Sequence, residues 1–391
     1  MNDRDYMRLA LALARRGYGT TSPNPMVGAL LVKQGRIIGR GWHHRAGEPH
    51  AEIEALNDAT KNRISPLGAT LYVTLEPCST HGRTPPCTDA ILAAGIRHVV
   101  VGATDPNPQH QGNGFAFLKR AGVALDQGVL EADCARLNEA FNHWILHRTP
   151  FVTVKAAMTL DGKIATASAE SKWITGAAAR SFGMKLRQGA DAILVGINTI
   201  LADDPALTVR FPNARTSRFA KKNLKRIVLD SYARTPVSSR VMSDEWAELT
   251  TIVISDGAPK SRAQALARRV NVVVAPIDPS SAKGRTGAAG GPSKSKPAVV
   301  TLSLPWLLRR LGAQDITNLL VEGGGEVNAS FLMQGLAQGI AFFYAPKILG
   351  GRDSRKAVAG QGARAWDEIV KLDDLNWQRL GVDWLLTARC V

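Results

Sequence analysis

The sequence is poor in cysteine, with four among 391 residues. So few thiols cannot form a disulfide framework, which excludes the small disulfide-rich domains of secreted proteins. Sparse cysteine is typical of a reducing cytoplasm, where neighbouring cysteines more often bind a metal ion.

Long apolar runs are also missing, and none reaches the roughly 20 residues that a helix needs to cross a bilayer. The first residues, MNDRDYMRLALALARRGYG, include acids and lack a signal-like apolar core, so they predict an amphipathic helix. We therefore expect a soluble, cytoplasmic protein. Its 45% hydrophobic residues suffice for globular cores, and its length favours two domains.

Acidic residues are outnumbered, and the formal net charge is +16. Residues 1–150 contain 16 basic and 13 acidic side chains, whereas residues 151–391 contain 33 and 20. The run RFPNARTSRFAKKNLKR at 210–226 has seven basic residues and no acid. Such a balance fits nucleic acid, phosphorylated small molecules or a solvated surface. Because this run contains Pro, Asn and Ser, we expect a solvated loop that also attracts phosphate.

Strand-like and helix-like segments alternate along the chain, which predicts an α/β fold with mainly parallel sheets. MVGALLVKQGRIIGRG reads as a hairpin with its turn at Gln34–Gly35, and DCARLNEAFNHWILHR as one long helix ending near Thr149–Pro150. A second α/β series then runs from FVTVKAAMT to GIAFFYAPKIL, so we expect domains at 1–147 and 151–391. The Gly/Ser/Lys-rich stretch 280–297 predicts a mobile insertion.

A metal-binding pattern lies in PHAEIEAL and LEPCSTHGRTPPC. His50, Cys78 and Cys87 supply three ligands of the kinds that zinc prefers, and a catalytic site leaves the fourth position to water. Zinc lowers the pKa of that water to about 7. Glu52, two residues after His50, is then placed to carry protons to a ring nitrogen and to departing ammonia.

The pattern matches the H-x-E…P-C-x-x-C signature of zinc nucleobase deaminases, except that Cys87 follows Cys78 by nine positions instead of three. The longer loop argues against ordinary cytidine or tRNA-adenosine deaminases. His81, within this loop, is a rival ligand that we interpret as a loop or substrate residue. We expect the remaining candidates to stay off the metal: His43 and His44 as solvated or substrate-side groups, Cys134 and Cys390 as structural residues.

SPNPMVGALLV, GEPHAEIEAL, YVTLEPCSTHGRTPPC and GATDPNP resemble the deaminase half of the bifunctional riboflavin-biosynthesis deaminase-reductase family. The resemblance covers nearly all of residues 1–147 and implies a cytidine-deaminase-like fold. It also implies a substrate, 2,5-diamino-6-(5-phosphoribosylamino)pyrimidin-4(3H)-one, which loses its 2-amino group. Asn24 would help to hold the pyrimidine; its alternative role is that of a turn residue between prolines.

The second half has no GxGxxG motif, but NLLVEGGGEVNASFL at 318–332 reads as a strand, a glycine run and a helix. A helix N-terminus after glycines can bind phosphate, although a tight turn without a ligand explains the same pattern. KAAMTLDGKIATASAESKWITG and ILVGINTILADDPALTVR also resemble the reductase domain of the same family. The resemblance implies a dihydrofolate-reductase-like fold, with NADPH as hydride donor, and it is poor between 210 and 318.

The resemblance also implies two sets of ligand-binding residues. The residues expected along NADPH are Ala157, Trp173, Thr199, Asp203, Ser231, Gly324, Gly325, Glu326, Val327, Asn328, Ala329 and Ser330. The residues expected to face the phosphoribosyl substrate are Ser171, Arg187, Leu207, Arg210 and Glu322. Some of them have an ordinary alternative: surface salt bridges for the arginines, core packing for Trp173, and a helix end or turn for Asp203.

The sequence thus predicts a two-domain enzyme that deaminates a pyrimidine at zinc and then reduces its ribosyl side chain with NADPH. We expect a small-molecule substrate, no nucleic acid or membrane partner, and a homo-oligomer. Two alternatives stay open at this stage. The first is a deaminase that binds polynucleotide through the basic run. The second is that residues 151–391 form a degenerate, non-catalytic module.

Overall fold

A computed structural model describes residues 1–80, 85–210, 224–278 and 301–391. His81, residues 211–223 of the basic run and the insertion at 280–297 lie outside the described residues, so the predictions made for them stay predictions. By its contacts the chain divides into two compact units, Met1–Thr149 and Pro150–Val391.

The described part of the first unit forms a mixed sheet with helices. The helices are α1 Asp3–Ala14, α2 Ala51–Lys61, α3 Cys87–Ala93, α4 Asn113–Arg120, α5 Glu131–Leu137 and α6 Glu139–His147, and a 3₁₀ turn spans Arg15–Gly17. The strands are β1 Gly28–Lys33, β2 Arg36–Trp42, β3 Thr70–Leu75, β4 His98–Ala103 and β5 Ala124–Asp126.

The sheet order in this unit is β2-β1-β3-β4-β5. β3, β4 and β5 are parallel, whereas β1 runs antiparallel to both β2 and β3. The predicted hairpin is confirmed, because β1 and β2 are joined at Gln34 and Gly35, both with positive φ. The first-helix prediction is confirmed by α1, whose N-cap is Asn2 in a capping box with Asp5.

Helix α2, which begins directly after His50, packs tightly on β2. Ala51, Ala55 and Ala59 recur every four residues and are fully buried, so the helix presents a face of small side chains. At Gly41 a Cβ atom would collide with the backbone of this helix. Close backbone packing therefore fixes the position of the helix start.

The predicted long helix before Thr149 is wrong in one respect, because it breaks into α5 and α6 at Asn138. The backbone of Asn138 leaves the helical region, with φ −111° and ψ 23°. Its buried side chain instead accepts from Met26 N at 2.7 Å and donates to Met26 O at 2.9 Å. These two bonds to a distant loop outweigh the continuation of the helix.

The described part of the second unit contains a larger sheet. The helices are α7 Ala177–Gly189, α8 Ile197–Asp203, α9 Arg240–Ser243, α10 Lys260–Ala267, α11 Leu304–Gly312 and α12 Gly325–Met333, with 3₁₀ turns at Ala247–Leu249 and Trp366–Glu368. The strands are β6 Phe151–Thr159, β7 Lys163–Ala165, β8 Ala192–Gly196, β9 Lys225–Leu229, β10 Thr250–Ile254, β11 Asn271–Val274, β12 Asn318–Val321, β13 Gly339–Ala345, β14 Arg355–Lys356, β15 Leu372–Leu380 and β16 Asp383–Cys390.

The large sheet has the order β11-β10-β9-β8-β12-β6-β13-β16-β15 in the described residues. The strands β11, β10, β9, β8, β12, β6 and β13 run parallel to one another. Strand β16 is antiparallel to β13, and β15 is antiparallel to β16. The α/β prediction with mainly parallel sheets is therefore confirmed, while the C-terminal hairpin was not predicted. Among the described residues, no helix is long and apolar enough to cross a membrane.

Candidate active sites

Three metal-ligating side chains of the first unit meet where β3 ends and where α2 and α3 begin. His50 directly precedes α2, Cys78 follows β3, and Cys87 is the first residue of α3. The His50 Nδ1 atom and the two Sγ atoms all lie within 4.8 Å of one another. The fold thus brings together the three ligands predicted from the sequence.

The distances between these atoms fit a tetrahedral zinc ion. His50 Nδ1 lies 3.2 Å from Cys87 Sγ and 3.6 Å from Cys78 Sγ. Zn–N and Zn–S bonds of about 2.0 and 2.3 Å at the tetrahedral angle separate nitrogen from sulfur by about 3.5 Å. The donor set therefore suits zinc and leaves a fourth position, as catalytic sites require.

The two thiols of this cluster have very different acidities. Hydrogen bonds, first from Cys87 and then from His50, lower the pKa of Cys78 to about 4. The hydrogen bond to Cys78 and burial raise the pKa of Cys87. Two adjacent thiolates repel each other, so both are stable in the thiolate form only beside a cation.

Glu52 lies in the first turn of α2 and is 4% exposed. Burial raises the pKa of its carboxyl group, although the charge of His50 opposes the shift. A buried carboxyl group with a raised pKa holds a proton more readily than an exposed one, which suits a group that takes up and returns protons.

Asn24, the predicted pyrimidine-binding residue, contacts a histidine beside the cluster. His43 Nε2 accepts from Asn24 Nδ2 at 3.2 Å if its Nδ1–H donates to Pro49 O at 3.1 Å. The His43 ring is 2% exposed and meets the His50 ring edge-on, with 5.4 Å between the centroids. Of the two expectations for His43, solvated or substrate-side, the first is therefore wrong and the second stays a prediction. Burial lowers its pKa, which favours the neutral ring.

The other residues that we expected to stay off the metal lie outside the His50, Cys78 and Cys87 cluster. His44 stacks on Trp42 with 4.2 Å between the ring centroids. Cys134 is buried in the apolar core of the first unit, and Cys390 packs against the core of the second. Both cysteines are free, in keeping with the structural role predicted for them.

Sequence reasoning missed Glu76, the residue before Pro77-Cys78. Its carboxylate is 6% exposed and accepts four backbone hydrogen bonds of 3.0–3.4 Å. The donors are Asp105, Gly112, Gly114 and Phe115. A carboxylate at the end of a buried strand needs such donors. An acidic residue directly after a predicted buried strand was therefore the sequence feature that could have revealed this contact.

The second unit places predicted NADPH residues at one edge of its large sheet. Ala157 lies in β6, Thr199 and Asp203 lie in α8 after β8, Ser231 follows β9, and 324–330 follow β12. This edge consists of the carboxyl ends of parallel strands. In open α/β sheets, ligands bind at that edge.

The glycine run before α12 also has a structural role in the local turn. Gly324 has φ +76°, and a Cβ atom on Gly325 would collide with Lys356 O. Asn328 is buried and donates to Ala357 O at 2.9 Å. The first-turn N–H groups of α12 have no partner within the helix, so they are the part of this segment that suits a phosphate.

Two predicted substrate residues pair with each other. Arg187 Nε and Nη2 donate to the two carboxylate oxygens of Glu322, both at 2.9 Å, and Arg187 Nη1 donates to Thr208 O at 3.1 Å. Lys155 Nζ lies 3.6 Å from Glu322 Oε2. Burial alone would raise the pKa of Glu322, but Arg187 and Lys155 lower it to about 2. Three of the five N–H groups of Arg187 are therefore used, and two are left for a ligand.

Ser171 and Trp173 lie in the irregular segment before α7. Ser171 Oγ donates to Asp203 Oδ1 at 3.1 Å, which joins a predicted substrate residue to a predicted NADPH residue. Trp173 is 68% exposed, so the core-packing alternative is wrong for this residue. The Arg180 guanidinium lies 4.8 Å from the centre of its ring.

The remaining predicted substrate residues differ in exposure. Leu207 is 2% exposed, so its side chain belongs to the core. The adjacent Ala206 O accepts a hydrogen bond from buried Arg226 at 3.0 Å. Arg210 is exposed and stands at the end of a described range.

Two protein families match this chain. The model of the cytidine and deoxycytidylate deaminase zinc-binding region matches residues 1–103, and the model of the RibD C-terminal domain matches residues 150–386. Riboflavin biosynthesis protein RibD of Aquifex aeolicus is 40% identical over 384 residues, which cover 98% of this chain and 97% of that protein. The Escherichia coli RibD protein is 40% identical over 359 residues, covering 90% and 89% of the two chains.

Solved structures match this chain over its full length. Acinetobacter baumannii RibD superposes with a TM-score of 0.82 at 33% identity, covering 100% of this chain and 99% of that one. The Thermotoga maritima diaminohydroxyphosphoribosylaminopyrimidine deaminase/5-amino-6-(5-phosphoribosylamino)uracil reductase gives 0.79 at 34% identity, with the same coverage. The chain therefore belongs to the RibD family of riboflavin biosynthesis proteins, in which a zinc-binding deaminase domain precedes a reductase domain.

Proposed function

We propose that this protein deaminates 2,5-diamino-6-(5-phosphoribosylamino)pyrimidin-4(3H)-one and then reduces the ribosyl side chain of the product to a ribityl chain with NADPH. Residues 1–147 would carry the first reaction and residues 151–391 the second. The observation that carries this proposal is the His50, Cys78 and Cys87 cluster beside buried Glu52. The name of the Thermotoga maritima relative supports the substrate.

In the first reaction, His50, Cys78 and Cys87 would hold zinc, which when bound makes a water molecule acidic enough to form hydroxide at neutral pH. Glu52 would pass one proton of that water to the ring nitrogen as hydroxide adds to C2, and would then pass the remaining hydroxyl proton to the 2-amino group as the C2–N bond breaks and ammonia leaves. Its raised pKa suits both steps, because the carboxyl group must be able to hold a proton between them. Asn24, held by His43, would orient the pyrimidine.

In the second reaction, opening of the N-glycosylamine gives an imine at C1′, and hydride transfer to C1′ with uptake of a proton from solvent by the imine nitrogen gives the ribityl chain. NADPH supplies that hydride when bound. The residues that we propose to line it are Ala157, Trp173, Thr199, Asp203, Ser231 and Gly324–Ser330. Ser171, the main chain at Leu207, Arg210, Glu322 and the two remaining N–H groups of Arg187 would face the phosphoribosyl substrate.

We also propose that the protein is a cytoplasmic homo-oligomer that acts without nucleic acid. The C-terminal hairpin supports the oligomer, because β15 is exposed along nearly its whole length. Its large apolar side chains include Leu375 at 55% and Trp377 at 53% exposure, and Trp384 of β16 is 45% exposed. Large apolar side chains seldom form such an exposed patch unless a partner covers it.

Glu52→Gln tests the deaminase assignment. The amide keeps the shape of the side chain but cannot hold the transferred proton, so we expect zinc content to be unchanged and ammonia release to fall at least about 100-fold. Metal analysis and an ammonia assay on the diaminopyrimidine substrate give the two readouts. Glu54→Gln, on the same helix, is the control. Ammonia release by Glu52→Gln near the unmutated rate would refute the proton-carrying role.

A further inference from the structure

The irregular segment 171–176 owes its position to side chains from other parts of the second unit. Ser171 Oγ bonds to Asp203, and Gly176 N donates to buried Asp383 Oδ2 at 2.7 Å. Between these two fixed ends lies Trp173, whose ring is exposed at the surface. The segment has no regular secondary structure, so these contacts set its path.

Three successive backbone carbonyl groups in the middle of this segment accept hydrogen bonds from cationic side chains. Lys347 Nζ donates to Trp173 O at 3.0 Å and to Ile174 O at 2.8 Å. Arg180 Nη1 donates to Thr175 O at 2.6 Å. With its carbonyl groups gathered on two cations, the backbone directs the Trp173 ring outward over the Arg180 guanidinium.

The main chain of Lys347 and the residues after it is held by the turn between β6 and β7. Leu160 N donates to Lys347 O at 2.8 Å. The Asp161 carboxylate accepts from Leu349 N at 3.1 Å and from Gly350 N at 2.8 Å. The turn at the carboxyl end of β6 and the Trp173 segment are thus connected through the loop after β13.

We infer that Lys347 is a positioning residue of the reductase site: its ammonium group holds the backbone of residues 173 and 174 and so places Trp173 against the cofactor. This inference rests on the proposed NADPH role of Trp173. Lys347 lies 173–174 residues from the carbonyl groups that it binds, and it touches neither ligand in the proposal. Its effect is therefore on cofactor affinity and not on the hydride transfer itself.

Lys347→Met is the test variant, because methionine keeps much of the length and apolar stem but removes all three donors. With 5-amino-6-(5-phosphoribosylamino)uracil as substrate, we expect the KM for NADPH to rise about tenfold, equivalent to about 1.4 kcal/mol, while kcat changes little. Lys347→Arg should recover part of the affinity because it retains the charge. Lys371→Met, at an exposed lysine before β15, is the matched control.

Two further readouts separate this inference from the proposed function. Ammonia release should be unchanged in Lys347→Met because that reaction belongs to the first unit, and an unchanged kcat for NADPH oxidation shows that the second unit is folded. Hydrogen exchange without NADPH should be faster at amides 171–176 in Lys347→Met than in Lys371→Met. Unmutated protein that fails to oxidise NADPH would refute the proposed reductase activity. An unchanged KM, or unchanged exchange at 171–176, would refute the role of Lys347.

Discussion

The Arg187–Glu322 pair offers a stability prediction that can be worked out from the structure. Glu322 and Arg187 side chains are 13% and 11% exposed, so solvent screens their attraction little. The pKa of Glu322 falls from 4.5 to about 2 in the folded protein. A shift of this size corresponds to about 3 kcal/mol of folding free energy at pH 7, at about 1.4 kcal/mol for each pKa unit.

The sign of the pH dependence follows from the lowered pKa. The stabilisation is fully present above pH 4.5, where Glu322 is ionised in both folded and unfolded chains, and it is lost as the pH falls through 2. The same linkage relation leaves about 1 kcal/mol at pH 3. Glu322→Gln removes this contribution, which already includes the loss of the counter-charge beside the buried Arg187 guanidinium.

We therefore expect Glu322→Gln to lower the free energy of unfolding of the second unit by about 3 kcal/mol at pH 7 and by about 1 kcal/mol at pH 3. Urea unfolding followed by circular dichroism at several pH values measures both differences. Glu245→Gln, at an exposed carboxylate of the same unit, controls for the loss of a surface charge. Equal urea midpoints for Glu322→Gln and unmutated protein at pH 7 would refute the reasoning, as would a difference that does not shrink with acid.

Two other substitutions test the first unit. Cys87→Ala removes one of three zinc ligands, so metal analysis should find little zinc and ammonia release should stop, while NADPH oxidation on the deaminated intermediate continues; loss of both activities would contradict independent sites. Asn138→Ala removes two partly buried hydrogen bonds to Met26, so we expect the first unit to lose about 1–3 kcal/mol in urea unfolding, and an unchanged midpoint would show that these bonds do not stabilise the first unit.

Local sequence patterns predicted the parts of the fold and the site whose causes are local. The β1–β2 hairpin follows from a turn at Gln34–Gly35, and the metal cluster follows from ligand types placed at element ends. A few adjacent residues determine the hairpin, whereas His50 lies 28 residues before Cys78 and meets it only in the folded chain. The spacing alone did not determine where in the fold these three side chains meet, because that position depends on how β3 pairs with β4.

Interactions between distant residues were beyond prediction from one sequence. The break at Asn138 depends on Met26, which is 112 residues away, and the helical pattern across the break gives no sign of it. The same applies to Lys347 and its carbonyl partners. A polar side chain reads as a surface residue until the group that it binds is known.

The arginines show why residue type and charge alone did not decide their roles. Arg226 is fully buried and makes a two-point ion pair with Asp244, and Arg187 makes one with Glu322. Such pairs cancel equal numbers of positive and negative charges, so the basic excess of the second half resides on other residues. The alternatives of ligand clamp and salt bridge are therefore not exclusive for Arg187. Because Glu322 holds one side of the guanidinium in place, its two free N–H groups are already oriented, which is the condition for a two-point contact with phosphate.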